Sequence, residues 1–204
     1  MQWVDFSKTS LLVSLASITF NPLAWNFVAR NEYHNKSLTR LFGGKAKAAC
    51  YFLAVMIFSF GVLRDSLYHR ALSEQPSHPI LPNDPPLNLH IVLPVLLFVA
   101  GQTLVISSTW ALGITGTFLG DYFGILMDHR VEGFPFNVLE NPMYVGSTLC
   151  FLATALWYEK PAGLIITLYV HICYIIALKF EGPFTTMIYS KRSEAKTSNV
   201  KKEL

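Results

Sequence analysis

The stretch from Ala111 to Ser147 decides how this chain is read: GITGTFLGDYFGIL (113–126), MDHRVEG (127–133) and FPFNVLENPMYVGS (134–147). Its front end closes an apolar run that carries no formal charge from Pro85 to Gly120. Charge then arrives within a few residues, at Asp121, Asp128, His129, Arg130, Glu132 and Glu140. A second apolar run begins at Tyr144. The pattern predicts a membrane helix ending in a compact polar loop. Polar groups are costly where helices leave a bilayer, so these are the first functional candidates. Gly113, Gly116, Gly120 and Gly124 fall at helical spacing, and on a helix they form one smooth face. That face serves either close helix packing in lipid or a groove where a cofactor approaches backbone. No strand precedes these glycines and no βαβ pattern surrounds them, which excludes a dinucleotide-binding fingerprint.

Composition supports the membrane reading. Of 204 residues, 52% are hydrophobic and only 14% charged, where a soluble domain carries about 25% charged residues. One domain, residues 1–204, accounts for the length. The net charge is +3, and in the tail after Gly182 five Lys/Arg outweigh two Glu. A basic segment of this kind suits anionic lipid and not nucleic acid. Cys50, Cys150 and Cys173 lie in apolar runs without metal spacing and read as packed thiols. No metal site is expected.

Outward from the centre, the first segment covers residues 11–30. Asn21-Pro22 interrupts it and predicts a break or kink. It reads as either a kinked crossing helix or a re-entrant one. Residues 30–47 form a basic, glycine-punctuated loop. The second segment, 48–63, lies between Lys47 and Arg64, which snorkel to complete a short crossing. Five prolines between residues 76 and 86 predict an irregular connection. The third segment runs over 89–120. The last is 144–158 with 162–180, joined by a turn at Glu159-Lys160-Pro161, each arm short for a full crossing. A hairpin returning to its starting side fits these lengths. Pro183 should stop the final helix and leave 184–204 as a loosely ordered basic tail. The fold class is therefore an all-α integral membrane protein, a helical bundle of about four membrane-embedded segments.

The strings LGITGTFLGDYFGIL, FPFNVLENPMYVGS and FEGPFTTMIY, with FNPLAWNFVAR (20–30), resemble the phospholipid N-methyltransferase family. The likeness covers most of the chain and is strongest to the fungal type around GFPFNV and FGGKAKAACY. NPMYVG is also similar to the HPxYxG signature of isoprenylcysteine carboxyl methyltransferases, with Asn141 in place of the histidine. The resemblance implies methylation of phosphatidyl-N-methylethanolamine and its dimethyl derivative to phosphatidylcholine, with S-adenosylmethionine as cofactor and a bilayer phospholipid as partner. It also implies a first segment that is embedded without fully crossing. Rival readings are all three methylations from phosphatidylethanolamine, prenylcysteine carboxyl methylation, and a non-catalytic scaffold or transporter. A transporter would show repeats or broken helices around a midplane site, and no repeat is found.

Site residues follow from the motifs. The family assigns a Gly-x-Gly triplet to the cofactor; here it is Val99-Ala100-Gly101, the first glycine lost. Where the family has paired glutamates this chain has Glu181 and Gly182, so Glu181 carries the acceptor role alone. Its bland alternative is a helix-end carboxylate paired with Lys179 or Arg192. Asn141, Pro142 and Gly146 complete the expected cofactor set, and Asn141 before Pro142 also suits a helix cap. Asp121, Glu140 and Tyr144 are the expected catalytic residues. The two carboxylates would steer the substrate ammonium and take its proton; the alternative for Asp121 is an ion pair with Arg130. Phe118, Tyr122, Phe123, Phe134, Phe136 and Tyr144 supply aromatic faces for a methylated ammonium or serve as interface aromatics. The last four residues, KKEL, resemble a dilysine retrieval signal. The expected location is the endoplasmic reticulum membrane with a cytosolic C-terminus, a mitochondrial membrane being the alternative.

Overall fold

The computed structural model describes residues 2–82, 88–128 and 131–200. Its helices are α1 (Thr9–Asn35), α2 (Ser37–Leu41), α3 (Ala46–Ser73), α4 (Leu89–Thr117), α5 (Pro142–Trp157) and α6 (Pro161–Val200), with a 3-10 turn at Gly120–Phe123. Four helical stretches are long and apolar enough to cross a membrane: Thr9–Asn35, Ala46–Ser73, Leu89–Phe123 and Pro161–Arg192. The chain is a helical membrane protein. Its exterior carries the apolar side chains that such a bundle turns to lipid, among them Phe27, Phe58, Leu96 and Trp110.

Helix α1 corrects the expected interruption. It runs 27 residues through Pro22, ~40 Å at 1.5 Å per residue, and is not barely long enough to span. Proline removes one backbone donor and crowds the preceding turn. Amide side chains support that turn: Asn21 Nδ2 donates to Ser17 O at 2.9 Å and Asn26 Nδ2 to Pro22 O at 3.0 Å. Trp25 Nε1 then donates to Asn21 Oδ1 at 3.1 Å. The helix ends at Lys36, whose left-handed backbone returns its N–H to Glu32 O. Glu32 is fully buried and accepts the Leu38 N–H at 2.7 Å and the Thr39 hydroxyl, so the expected 30–47 loop contains the short helix α2.

Helix α3 does not stop at Arg64. It has 28 residues, and its last turns bury Tyr68, Ala71 and Leu72, a 3-4 spacing that keeps one face turned inward. Gln75 clamps this end of the bundle. Its amide exchanges two 2.8 Å bonds with the backbone of Asp5, and its carbonyl accepts Lys160 Nζ at 2.6 Å. The N-terminus, the end of α3 and the α5–α6 turn therefore meet at one end. Beside them Ser10 Oγ donates to Glu74 Oε2 at 2.7 Å, which holds that carboxyl below its usual range.

The glycine face is also corrected. Gly113 is non-helical (φ 64°, ψ 178°), α4 ends at Thr117, and Gly124 closes the 3-10 turn at φ 79°. The glycines break the helix; they do not line one side of it. Close packing is instead made by Gly101 of α4 against Gly146 of α5. A Cβ on either would lie 2.6 Å from the other's carbonyl oxygen. In lipid, such small residues let helices gain van der Waals contact that apolar burial does not supply.

Helices α5 and α6 form an antiparallel hairpin. Pro142 occupies the first turn of α5, and Asn141 stands at the cap position without a side-chain cap bond, so its expected capping role is not realised. The turn passes through Glu159 (φ 50°), and Gly163 lets α6 lie against Ala155, where a Cβ would approach to 2.5 Å. Pro183 does not stop α6, which continues helical to Val200. Gly182 carries no Cβ to clash with the following proline ring. The exposed carbonyl of Phe180 accepts Arg30 Nη2 at 2.8 Å. Beyond it Phe184, Met187 and Ile188 pack on α1 and the 3-10 turn.

Substitutions at the α4–α5 seam test this packing. Gly101→Ala and Gly146→Ala should each lower detergent stability by about 1–3 kcal/mol, because overpacking forces backbone apart. Gly61→Ala meets nothing within 4 Å and should be neutral or raise stability by up to ~1 kcal/mol. Thermal unfolding in micelles reads the difference.

Candidate active site

The bundle encloses a cavity of about 870 Å³, walled by α1, α3, α4, α5, α6 and the 3-10 turn. Its carboxylate end is built from four segments. Asn26 comes from α1, Asp121 from the 3-10 turn, Tyr144 from the first turn of α5, and Glu181 with Thr185 from α6. Glu181 and Thr185 are four residues apart and therefore share a face.

Both Glu181 oxygens are engaged. Oε1 accepts Asn26 Nδ2 at 2.8 Å and Oε2 accepts the Tyr144 hydroxyl at 2.6 Å. Neither Lys179 nor Arg192 is its partner. Arg192 donates instead to Met127 O at 2.9 Å and reaches Asp128 at 3.5 Å. Asp121 accepts the Tyr122 N–H at 3.1 Å through Oδ1 and the Thr185 hydroxyl at 3.2 Å through Oδ2. Its alternative partner, Arg130, lies outside the described residues. Two carboxylates thus face one cavity with neutral donors, and their charge is free to meet a cation.

Two buried hydroxyls here have no hydrogen-bond partner among the described residues: Thr117 Oγ1 and Tyr122 Oη, both on the cavity wall. Buried polar atoms normally have partners, and these two hydroxyls are exceptions beside the carboxylates. Of the expected aromatics, Tyr122 and Tyr144 line the cavity. Tyr122 is stacked on Phe184 at 5.1 Å, Phe123 is buried among α1 and α3 side chains, and Phe134 is exposed.

The remaining expected residues are placed differently. Glu140 is exposed, and with Asn141 it borders a smaller cavity of about 220 Å³ behind Tyr144. Tyr144 lines both spaces. Gly101 and Gly146 face each other across the helix seam, Val99 is 56% exposed on the outer face of α4, and Ala100 is also exposed. Pro142 is buried at the start of α5, and Gly182 is exposed with nothing within 4 Å of its Cβ direction. None of Val99, Ala100, Gly101, Pro142, Gly146 and Gly182 lines the large cavity. Among the described residues no group of three His, Cys, Asp or Glu side chains stands together as a metal would need.

Arg64, Thr117, Tyr174 and Thr185 line the cavity and Asn26 bonds its carboxylate Glu181, and the sequence assigned none of them a place in the site. Asn26 had a signal in the sequence, a polar amide inside an apolar segment. The others sit in helices whose inward faces only the packing defines.

The class is that of a helical membrane protein with a large cavity lined by carboxylates, hydroxyls and aromatic rings. Comparison with known proteins gives the family. The phospholipid methyltransferase family model matches residues 89–192. A phosphatidyl-N-methylethanolamine N-methyltransferase of Neurospora crassa is 59% identical over 205 residues, covering 99% of this chain and 94% of its own length. Another of that name, from Saccharomyces cerevisiae, is 52% identical over 193 residues, covering 95% of this chain and 91% of its own. The human phosphatidylethanolamine N-methyltransferase is 44% identical over 191 residues, 94% of each chain. No solved structure matches. This chain belongs to the phospholipid methyltransferase family and is a membrane enzyme of methyl transfer.

The carboxylate junction can be tested by removing one donor. Asn26→Ala leaves Glu181 Oε1 without its amide and should destabilise the ligand-free protein by about 1–3 kcal/mol. Asn26→Gln, which keeps an amide on a longer arm, should recover part of this. Unfolding midpoints in detergent distinguish the two.

Proposed function

We propose that this enzyme methylates phosphatidyl-N-methylethanolamine and phosphatidyl-N,N-dimethylethanolamine to phosphatidylcholine, using S-adenosylmethionine. The observation that carries this is the placement of Asp121 and Glu181 on one cavity beside unpartnered hydroxyls. The choice of lipid follows the relatives. Those named for the monomethyl lipid are 51–59% identical to this chain, and those named for phosphatidylethanolamine 43–47%.

S-adenosylmethionine supplies a methyl group on a sulfonium sulfur, which leaves as a neutral thioether when the new N–C bond forms. Glu181 holds the donor through charge-assisted hydrogen bonds, with Tyr144 and Asn26 fixing its carboxylate. Thr117 and Tyr122 offer the remaining polar contacts. Asn141, on the far side of Tyr144, borders the smaller space open to the donor's outer groups. Asp121 draws in the substrate ammonium and takes its proton, freeing the lone pair for attack. Glu140 lies behind Tyr144 and leaves that work to Asp121. Gly101 and Gly146 serve indirectly, by setting how closely α4 and α5 approach. Alignment of amine and methyl group is the largest contribution the protein can make, on the order of 7–11 kcal/mol for a well-positioned pair.

The tail, Glu181 and the 121–143 loop open to the cytosol, where the donor is made, and the protein resides in the endoplasmic reticulum membrane. The antiparallel α5–α6 hairpin supports this, because it returns Glu181 to the side from which Tyr144 departs. KKEL, which carries the retrieval reading, lies outside the described residues.

Purified protein in mixed micelles with labelled donor should turn over the monomethyl and dimethyl lipids faster than phosphatidylethanolamine. Equal or greater turnover of phosphatidylethanolamine would assign all three steps to this enzyme. Glu181→Gln should weaken donor binding by about tenfold to a hundredfold, the worth of one charge-assisted bond, as read by calorimetry. Unchanged affinity would remove Glu181 from the donor site.

Sidedness has its own experiment. Single cysteines at Glu132 and Ser190, in a background lacking Cys50, Cys150 and Cys173, should both react with an impermeant thiol reagent in sealed microsomes. Protection of one and labelling of the other would refute the shared cytosolic side.

A further inference from the structure

The cavity has a second polar end that the carboxylate chemistry leaves unused. Arg64 lies inside α3, nine residues before its last residue, ~13 Å from that helix end at 1.5 Å per residue. Its side chain is 17% exposed. It does not snorkel outward: it lines the cavity together with Asp65, Gln102, Ser147 and Tyr174. An arginine turned into the interior of a membrane bundle is costly and marks a functional site by default.

The guanidinium is held in one orientation. Nε and Nη2 donate to Asp65 Oδ1 at 2.9 and 2.8 Å, and Nη1 donates to the Tyr174 hydroxyl at 2.8 Å. Tyr174 in turn shares a 2.9 Å bond with Ser147 Oγ. The Phe151 ring lies 5.1 Å from the guanidinium carbon. A guanidinium has five N–H donors. The three bonds found among the described residues leave one N–H on each terminal nitrogen for a further acceptor such as a phosphate or carboxylate oxygen.

Resting on the function proposed above, we infer that Arg64 seats the phosphodiester of the lipid substrate, with its amine delivered to Asp121 beside the donor that Glu181 holds. Distances favour this pairing. Tyr174, which positions Arg64, lies seven residues before Glu181 on α6, an axial offset of ~10 Å. Four bonds separate nitrogen from phosphorus in an ethanolamine phosphodiester, ~5 Å at ordinary bond lengths. The two lengths are of the same order, so a lipid held at Arg64 brings its amine to the region of Glu181 and the donor. Direction fits as well: the amine points towards the polar loop, the phosphate sits deeper, and the acyl chains lie towards lipid. Around this end the neighbouring outer faces of α3 and α4 are apolar, with Val62, Leu63, Val95 and Phe98 exposed. An oxyanion could also come from the carboxylate of the methyl donor. A water-soluble donor entering from the loop side meets Asp121 and Glu181 first, so the deeper arginine is left to the lipid.

The test compares wild type with Arg64→Gln/Asp65→Asn, which removes the cation without stranding its carboxylate, and with Arg64→Lys. Binding of dihexanoyl phosphatidyl-N-methylethanolamine and of S-adenosylmethionine is measured separately by calorimetry in micelles. The lipid measurement is repeated with the O-methyl phosphotriester, which keeps the amine and loses the phosphate charge. Wild type should prefer the charged lipid to the triester by about tenfold or more, and the double variant should lose that preference while binding the methyl donor within twofold of wild type. Arg64→Lys, with charge but no fork, should retain only part of the preference. An unaltered preference in the double variant overturns the inference. So does a loss of donor affinity with lipid affinity intact, which would assign the arginine to the donor's carboxylate. Should wild type bind and methylate no phospholipid, the function proposed above fails and this inference with it; the preceding outcomes leave that function standing.

Discussion

A carboxylate placed between membrane helices must be satisfied by the protein, because lipid offers it nothing. Glu181 meets that constraint with two donors from two other helices, Asn26 of α1 and Tyr144 of α5. One side chain thereby ties the first, fifth and last helices at a single depth. Asp121 extends the junction through Thr185, one turn along α6. The hairpin is held in register by the same bonds that compose the site. The donors are neutral, so the site keeps its negative character and remains able to receive a cation.

Packing and chemistry are divided between the faces of the same helices. Small residues make the seams: Gly101 on Gly146 between α4 and α5, and Gly163 on Ala155 within the hairpin. Polar residues line the space that the seams leave. Gln75 closes the opposite end by joining the N-terminus, the end of α3 and the α5–α6 turn. A cavity of this size within a five-helix enclosure needs both ends held, since side-chain packing through its middle is interrupted. Arg64 and its hydroxyl neighbours line that space away from the carboxylates.

The prolines show where local rules yielded to context. Pro22 was expected to break or kink its helix and Pro183 to stop one, and both lie inside continuous helices. At Pro22 the amides of Asn21 and Asn26 bond the neighbouring carbonyls. At Pro183 the preceding glycine avoids the steric clash and Arg30 takes the Phe180 carbonyl. The glycines of the central stretch erred in the other direction. Their spacing suited a helix face, yet Gly113 and Gly124 adopt positive φ and shape the turn that carries Asp121. Spacing alone does not distinguish a smooth helix from a broken one, because glycine is suited to both.

What the sequence determined was the class of protein and much of the chemistry. Apolar runs of membrane length, sparse charge and a polar loop between them specify an all-α membrane protein, because bilayer thickness sets helix length directly. The motif strings specify the family and nominate Asp121, Tyr144 and Glu181, three residues that line one cavity. What only the tertiary structure decided is which polar residues meet. Asn26, Arg64 and Tyr174 are separated from the central loop by tens of residues, and a helix's inward face depends on its neighbours when lipid and core are equally apolar. For the same reason Gly101 and Glu140 were grouped with the site in sequence yet stand outside its cavity. Periodicity marks an inner face only where water marks the outer one, and in this bundle water marks neither.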